Sequence, residues 1–265
     1  MGRGARLRSW LELPATRGWS VDDPQTTVLR RSIIAGKPPL RGIYRDWYLG
    51  IQEHLPDGAQ SVLELGSGGG FLKDYLPTLI TSDVLRVADL DVVAAAERIP
   101  FADASLHAMV MVNVFHHLSD PRAFLVEASR CLASSGVLCM VEPWVTGWSR
   151  RVYAFHSEPF DPEARDWSPT PGGPLTGGNG AIPWIVFHRD RTAFETDFPD
   201  WEVAEIRPMM PFRYLLSGGV SMRQLAPSGA FPPLAALESA LQPLRGRLAM
   251  FALIVLRKKT IGRPA

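Results

Sequence analysis

The stretch Glu64-Leu65-Gly66-Ser67-Gly68-Gly69-Gly70 sets glycines at alternate positions directly behind an acidic residue. Glycine there lets the backbone pass close to a bound molecule, because any Cβ would occupy the molecule's space. Two phosphate-binding readings fail on spacing. A dinucleotide turn G-x-G-x-x-G counted from Gly66 needs a third glycine where Phe71 stands, and a P-loop needs Ser or Thr after Lys73, where the chain has Asp74. Asp83 follows 19 positions after Glu64, near the spacing of about 20 at which nucleotide folds set a carboxylate on a ribose. A carboxylate suits a vicinal diol, since it only accepts hydrogen bonds and offers two oxygens. Further on, Asn113-Val114-Phe115-His116-His117-Leu118 places two imidazoles side by side, and Glu142-Pro143 closes another apolar run. Neutral imidazole can take a proton from a hydroxyl near neutral pH; capping or packing at a strand end is the competing role for both histidines. His156 is a weaker candidate. Neither histidine of the pair has company at metal-ligand spacing, so no metal is expected.

These residues need elements to hold them. Residues 61–65 form a short apolar run that stops at the glycines, the pattern of a buried parallel strand ending in a ligand-facing turn. Residues 71–76 begin a helix that Pro77 cuts short, and residues 79–82, ending at Asp83, read as a second strand. Residues 90–94 read as a third strand, after a linker too short for a regular crossover helix. Residues 106–114 are a fourth strand, Asp120-Pro121 starts a helix with an acidic cap and proline in its first turn, and residues 136–141 are a fifth strand. Ile43, Trp47, Tyr48, Ile51 and Leu55 recur at helical spacing, which predicts an amphipathic helix over 40–55. Residues 1–39 read as an arm with at most a short helix, closed by Pro38-Pro39. Residues 40–265 then form a single domain with insertions at 146–199 and 207–247, the second carrying a helix near 234–244. Residues 201–206 and 249–256 supply a final pair of strands.

The pattern E-x-G-x-G-x-G, followed in order by Asp83, Ile99-Pro100-Phe101 and Asn113-Val114-Phe115-His116-His117-Leu118, resembles the class I S-adenosylmethionine-dependent methyltransferases, of the type 11-like kind, over roughly residues 62–142. The resemblance implies an α/β, Rossmann-like seven-stranded sheet, mostly parallel with an antiparallel final strand, and helices on both faces. It implies S-adenosyl-L-methionine as cofactor, with Glu64, Gly66, Ser67, Gly68 and Gly70 around the methionine moiety and Asp83 on the ribose. Where the family commonly sets an Asp on the adenine amino group this chain has Ala95, which leaves that contact to backbone around Ala95 and Ala96 or to water. Asn113 closes the fourth strand near the reacting sulfonium, and His116 and His117 are the candidate catalytic residues of a methyltransferase. The alternatives are a catalytically silent methyltransferase-like binding module, for which Ala95 argues, and an NAD-dependent enzyme, against which Phe71 argues.

Composition narrows the partners. Lys and Arg number 28 against 27 Asp and Glu, for a formal charge of +1, far from the basic field that a nucleic-acid backbone requires. Cys131 and Cys139 lack metal spacing and read as reduced core residues, as in a cytoplasmic protein. Arg3, Arg6 and Arg8 are followed by Glu12 and Pro14 where a secretion signal needs an apolar core. The longest apolar runs, such as residues 251–256, are far too short to span a bilayer, and Arg257-Lys258-Lys259 allows only weak peripheral contact. The insertion at 146–199 carries Trp148, Tyr153, Phe155, Phe160, Trp167, Trp184 and Phe187, with Pro and Gly dense over 168–183. This insertion and the one at 207–247 are expected to bind the acceptor, folded over the cofactor as a partly mobile lid, with the first giving a small-molecule acceptor an apolar or aromatic wall.

Overall fold

A computed structural model describes residues 11–155 and 158–260 of the chain; Arg3, Arg6, Arg8 and His156 lie outside them. Strands β1 (Val62–Leu65), β2 (Leu79–Asp83), β3 (Val92–Val93), β4 (Leu106–Val112), β5 (Leu132–Pro143), β6 (Trp201–Met209) and β7 (Phe251–Lys258) form one sheet in the order β3-β2-β1-β4-β5-β7-β6. Only β7 runs against its neighbours, pairing antiparallel with β5 and β6. The expected seven-stranded sheet with an antiparallel final strand is therefore observed.

Strand periodicity splits the core into two layers. Val62, Val110 and Val141 point to one face and pack with Ile43, Trp47, Tyr48 and Ile51 of helix α2 (Pro38–Gln52), while α1 (Pro24–Gly36) precedes it. Leu63, Met109 and Met140 point to the other face, against Phe124, Leu125 and Ala128 of α3 (Pro121–Cys131). Asp120 caps α3 by accepting from the Ala123 N–H at 2.9 Å, with Pro121 in the first turn, as its sequence requires. After β5 come α4 (Gly147–Tyr153), a helical turn Ile182–Trp184 that widens into a π turn, Ile185–Arg189, and α5 (Arg191–Asp197). α6 (Arg213–Ser217) and α7 (Phe231–Ala240) lie between β6 and β7. Among the described residues no helix is long and apolar enough to cross a membrane.

Several expectations need correction. The arm contains a 13-residue helix, α1, capped by Asp23, whose carboxylate accepts from the Gln25 N–H at 2.8 Å. Pro38-Pro39 does not close the arm but opens α2, because proline is tolerated in a first turn whose N–H groups have no intrahelical partner. The helix expected from residue 71 shrinks to the 3₁₀ turn Leu72–Asp74; α2 fills the space beside it, and the Tyr48 hydroxyl accepts from the Phe71 N–H at 3.1 Å. No helix links β2 to β3, as the short linker required. β6 runs on to Met209, so the second insertion begins beyond it.

Candidate active site

β1 lies between β2 and β4, so successive connections leave it toward opposite edges of the sheet. A crevice opens at such a reversal, outside the carboxyl ends of the strands. The glycine turn leaves β1 there. Gly66 has φ +67° and a Cβ on it would meet Val114 Cγ2 at 2.4 Å, so the turn and the loop after β4 touch and only glycine fits between them. Ser67 staples the turn to β2: its N–H donates to the Ser82 carbonyl at 2.8 Å, and its Oγ accepts from the Ser82 N–H at 3.1 Å.

Two buried acids flank this turn. Glu64 is 4% exposed, and burial, with the charge of Asp83 adding to it, pushes its carboxyl up to about 7 against a hydrogen bond from Ser67. Asp83 ends β2; its Oδ2 accepts from the Gly68 N–H at 3.1 Å and its Oδ1 from the Leu85 N–H at 2.9 Å. Burial raises it too, and backbone hydrogen bonds oppose the rise. Asp91, another acid in this stretch, is consumed differently: it accepts from Lys73 Nζ at 2.6 Å and from the Thr81 N–H and hydroxyl at 2.8 and 2.9 Å, which holds it at about 2. Among the described residues no ion pair reaches Glu64 or Asp83.

Ala95 is exposed, on the rim of a shallow cleft with Val93, Ala94, Arg98, Glu127 and Arg130. Ala96 turns its side chain into the core, leaving only its backbone for recognition. Asn113 directly follows β4 in the left-handed region at φ +56°, a conformation Asn tolerates better than most residues, and its N–H donates to the Val141 carbonyl at 2.8 Å.

The histidines lie on the 3₁₀ turn Phe115–His117. His116 is 2% exposed. Its Nδ1 lies 2.5 Å from Glu142 Oε2 and its Nε2 2.9 Å from Glu158 Oε1. Burial works against a charge on His116, but Glu158 and Glu142 overcome it and hold the imidazole up to about 10. His117 Nδ1 is 2.8 Å from the Gly177 carbonyl oxygen, and its Nε2 is 3.3 Å from Glu158 Oε1. Burial, then the charge of His116, pushes His117 down to about 4. Glu142 is fully buried at the end of β5, and its Oε1 accepts from the Val114 and Phe115 N–H groups at 2.8 Å each. It thus shapes the β4 loop as well as holding His116. The expectation that the histidines lack metal-ligand company fails, because Glu158, some 40 residues on in sequence, folds against both.

Two further segments reach the site, and the first of them, α1, escaped the sequence reading. α1 lies on the glycine turn: a Cβ on Gly69 would meet the Arg31 backbone nitrogen at 2.8 Å and Arg30 Cβ at 3.2 Å, and Thr27 is the neighbour of Gly68. The segment 168–183 wraps the histidines, with the Asn179 N–H donating to the His116 carbonyl at 3.0 Å and a Cβ on Gly178 meeting His117 Nδ1 at 2.8 Å. Asp22 ties arm to insertion by accepting from Leu175 N–H at 2.6 Å and the Thr176 hydroxyl at 2.6 Å. Of the aromatics expected to line a lid, Phe187 and Trp167 instead belong to the core, Tyr153 and Phe160 stack at 4.3 Å, and Phe155 is 83% exposed.

Residues 63–140 match the family model described as a methyltransferase domain. No curated protein sequence matches the chain. Among solved structures, a SAM-dependent methyltransferase from Thermotoga maritima is 17% identical with a TM-score of 0.51, covering 82% of this chain and 89% of its own. A SAM-dependent methyltransferase from Archaeoglobus fulgidus is 15% identical with a TM-score of 0.48, covering 82% and 94%. One from Aquifex aeolicus is 17% identical with a TM-score of 0.46, covering 88% and 98%.

Proposed function

We propose that this chain, whose residues 63–140 match a methyltransferase-domain model and whose sheet has the methyltransferase fold, binds S-adenosylmethionine and methylates a small apolar or aromatic acceptor. The observation that carries the reading is the pair of buried acids on either side of the glycine turn, Glu64 and Asp83. A buried carboxylate without an ion pair favours a cationic ligand, and methionine brings an ammonium and a sulfonium. Asp83 spends one acceptor site of each oxygen on backbone N–H groups, so lone pairs remain for the two ribose hydroxyls. Gly66, Ser67, Gly68 and Gly70 would hold the methionine portion, backbone at Ala95 and Ala96 the adenine, and Asn113 the edge nearest the sulfonium.

Bound there, the cofactor supplies an electrophilic methyl group, and transfer is a direct displacement by the acceptor. The protein's work is then alignment and exclusion of water. α1 closes the turn from one side, and the insertion at 146–199, tied to the arm through Asp22, closes the acceptor side. His116 and His117 are the groups for an acceptor hydroxyl to meet. With its Nδ1–H given to Gly177, neutral His117 presents the Nε2 lone pair, while Glu142 fixes the ring of His116. An acceptor amine or carbanion needs no such base.

The test is ligand-dependent stability. S-adenosylmethionine or its demethylated product at about 100 times its Kd adds about 2.7 kcal/mol, a rise in Tm of roughly 5–10 °C. No shift at millimolar ligand in the folded chain overturns the reading, and a larger shift with NAD moves it to a dehydrogenase. Cofactor binding without turnover across a panel of hydroxyl and amine acceptors marks a silent binding module.

A further inference from the structure

Adjacent residues on a 3₁₀ turn project about 120° apart, yet the rings of His116 and His117 lie 4.1 Å apart, tilted by 39°. Something gathers them. Both rings are held from behind through Nδ1: His116 by the Glu142 carboxylate at 2.5 Å and His117 by the Gly177 carbonyl at 2.8 Å. A carbonyl oxygen only accepts, so His117 Nδ1 carries the proton and the neutral ring turns a lone pair outward at Nε2. The two Nε2 atoms converge on one carboxylate oxygen, Glu158 Oε1, at 2.9 and 3.3 Å. A proton on His116 Nε2 accounts for the shorter contact, and a metal ion binding there would release that proton to solvent and take its place. The longer one sets the His117 lone pair against a carboxylate oxygen, a contact that a metal ion bound between them would turn from repulsive to attractive.

The geometry points to a binding site for one divalent transition-metal ion, Zn2+ by preference, formed by His116 Nε2, His117 Nε2 and Glu158 Oε1. The three atoms lie within 4.8 Å of one another. Bonds of about 2.0–2.1 Å to a tetrahedral ion put ligand atoms about 3.3 Å apart, and an octahedral arrangement about 2.9 Å apart, so both short contacts have the length of coordination edges. Glu142 and the Gly177 carbonyl are the outer partners such a site needs, since a metal-bound imidazole passes its other N–H to a carboxylate or backbone carbonyl. Two imidazoles and a carboxylate suit Zn2+ or Fe2+ over Mg2+ or Ca2+, which prefer all-oxygen sites. Three protein ligands leave a position open for an oxygen from a second molecule. That an acceptor hydroxyl fills it, ionised by the metal in place of a protein base, rests on the methyl-transfer reading; binding of the ion does not.

The experiment uses the purified full chain, stripped with a chelator and free of S-adenosylmethionine. Co2+ alone is titrated and followed by its visible absorption, and Zn2+ displacement is then measured by calorimetry. One ion per chain is expected, displaced by Zn2+. Glu158→Gln, at a side chain that is 32% exposed and so leaves the core intact, should lower affinity at least tenfold, His117→Ala likewise, and Glu142→Gln about 10- to 100-fold. Absence of saturable Co2+ binding up to millimolar concentration in chain with an intact circular dichroism spectrum overturns the site. So does stoichiometric binding that neither Glu158→Gln nor His117→Ala weakens. Ion binding without any S-adenosylmethionine-induced stabilisation keeps this inference and removes the methyltransferase reading; the opposite result does the reverse.

Discussion

The glycine end and the histidine end of the crevice are built in opposite ways. At the glycine end everything from Glu64 to Asp83 lies within 20 residues, and the backbone does most of the holding: Ser67 N–H to the Ser82 carbonyl, and Gly68 N–H to Asp83. At the histidine end four separate segments meet, at 116–117, 142, 158 and 177–179, and nearly every contact has a side chain on at least one side, with Glu142 at the centre. A site made of backbone turns tolerates few residue types but depends on few partners. A site made of side chains depends on each partner, and the loss of one strands the others.

The sharpest way to break this contrast is Glu142→Ala. It removes the acceptor of two backbone N–H groups and of His116, and with each orphaned buried donor costing about 1–3 kcal/mol the expected loss is about 3–9 kcal/mol. Urea unfolding measures it, and Glu142→Gln, which keeps a carbonyl oxygen, should lose about half as much. A loss below about 1 kcal/mol would mean that the histidine end does not hang on this residue.

Gly66→Ala comes next. The left-handed φ costs an alanine about 1–2 kcal/mol, and its Cβ overlaps Val114 Cγ2, adding about 1–3 kcal/mol of overpacking. The same denaturation series ranks it against Glu142→Ala, and a Gly66→Ala protein as stable as the parent removes the steric argument for the turn. Gly68→Val, at φ +43°, should weaken cofactor binding, since its side chain fills the space in front of the turn, and a β-branched residue at that φ also costs stability.

A smaller effect separates the acids. Asp83→Ala should weaken S-adenosylmethionine binding about 10- to 100-fold, the worth of charge-assisted hydrogen bonds. Asp91→Ala, whose carboxylate serves Lys73 and Thr81, should leave affinity alone and cost stability. Calorimetry on both variants decides, and the reverse pattern would transfer the ribose role to Asp91.

A pH dependence tests the glycine end in another way. Glu64 is held at about 7 against an ordinary 4.5. Below pH 4.5 the carboxyl is protonated in folded and unfolded chains alike; between 4.5 and about 7 the unfolded chain ionises while the folded one does not. Its contribution to stability therefore falls as pH rises through that window and is level above it. Glu64→Gln should flatten this part of a Tm-against-pH curve, and unchanged curvature would show that another group carries it.

Much of this was legible in residue order. The alternate glycines, Asp83 at a strand end and Asp120-Pro121 before α3 report local backbone demands, and the structure brings the glycine turn, His116 and Glu142 to one edge of the sheet as topology required. α1 was not legible, because its Asp23-Pro24 start stands beside charges and a Trp that mask the period, and its apolar face is narrow. Phe187 and Trp167 read as free aromatics of a loop, since nothing near them in sequence shows that Phe194 and Phe198 pack on them.

Residue order by itself determined the strand run from β1 to β5, the glycine turn and the acid that answers it, because twofold alternation, glycine's freedom and capping chemistry act within a few residues. Only the tertiary structure decided that Glu158 joins His116 and His117, that Glu142 holds the loop it does not belong to, and that the arm closes on Gly69. Those contacts join segments tens of residues apart. They exist only once the sheet is assembled and the insertions dock, since close side-chain packing and the pairing of buried polar groups depend on where chain segments end up rather than on their order.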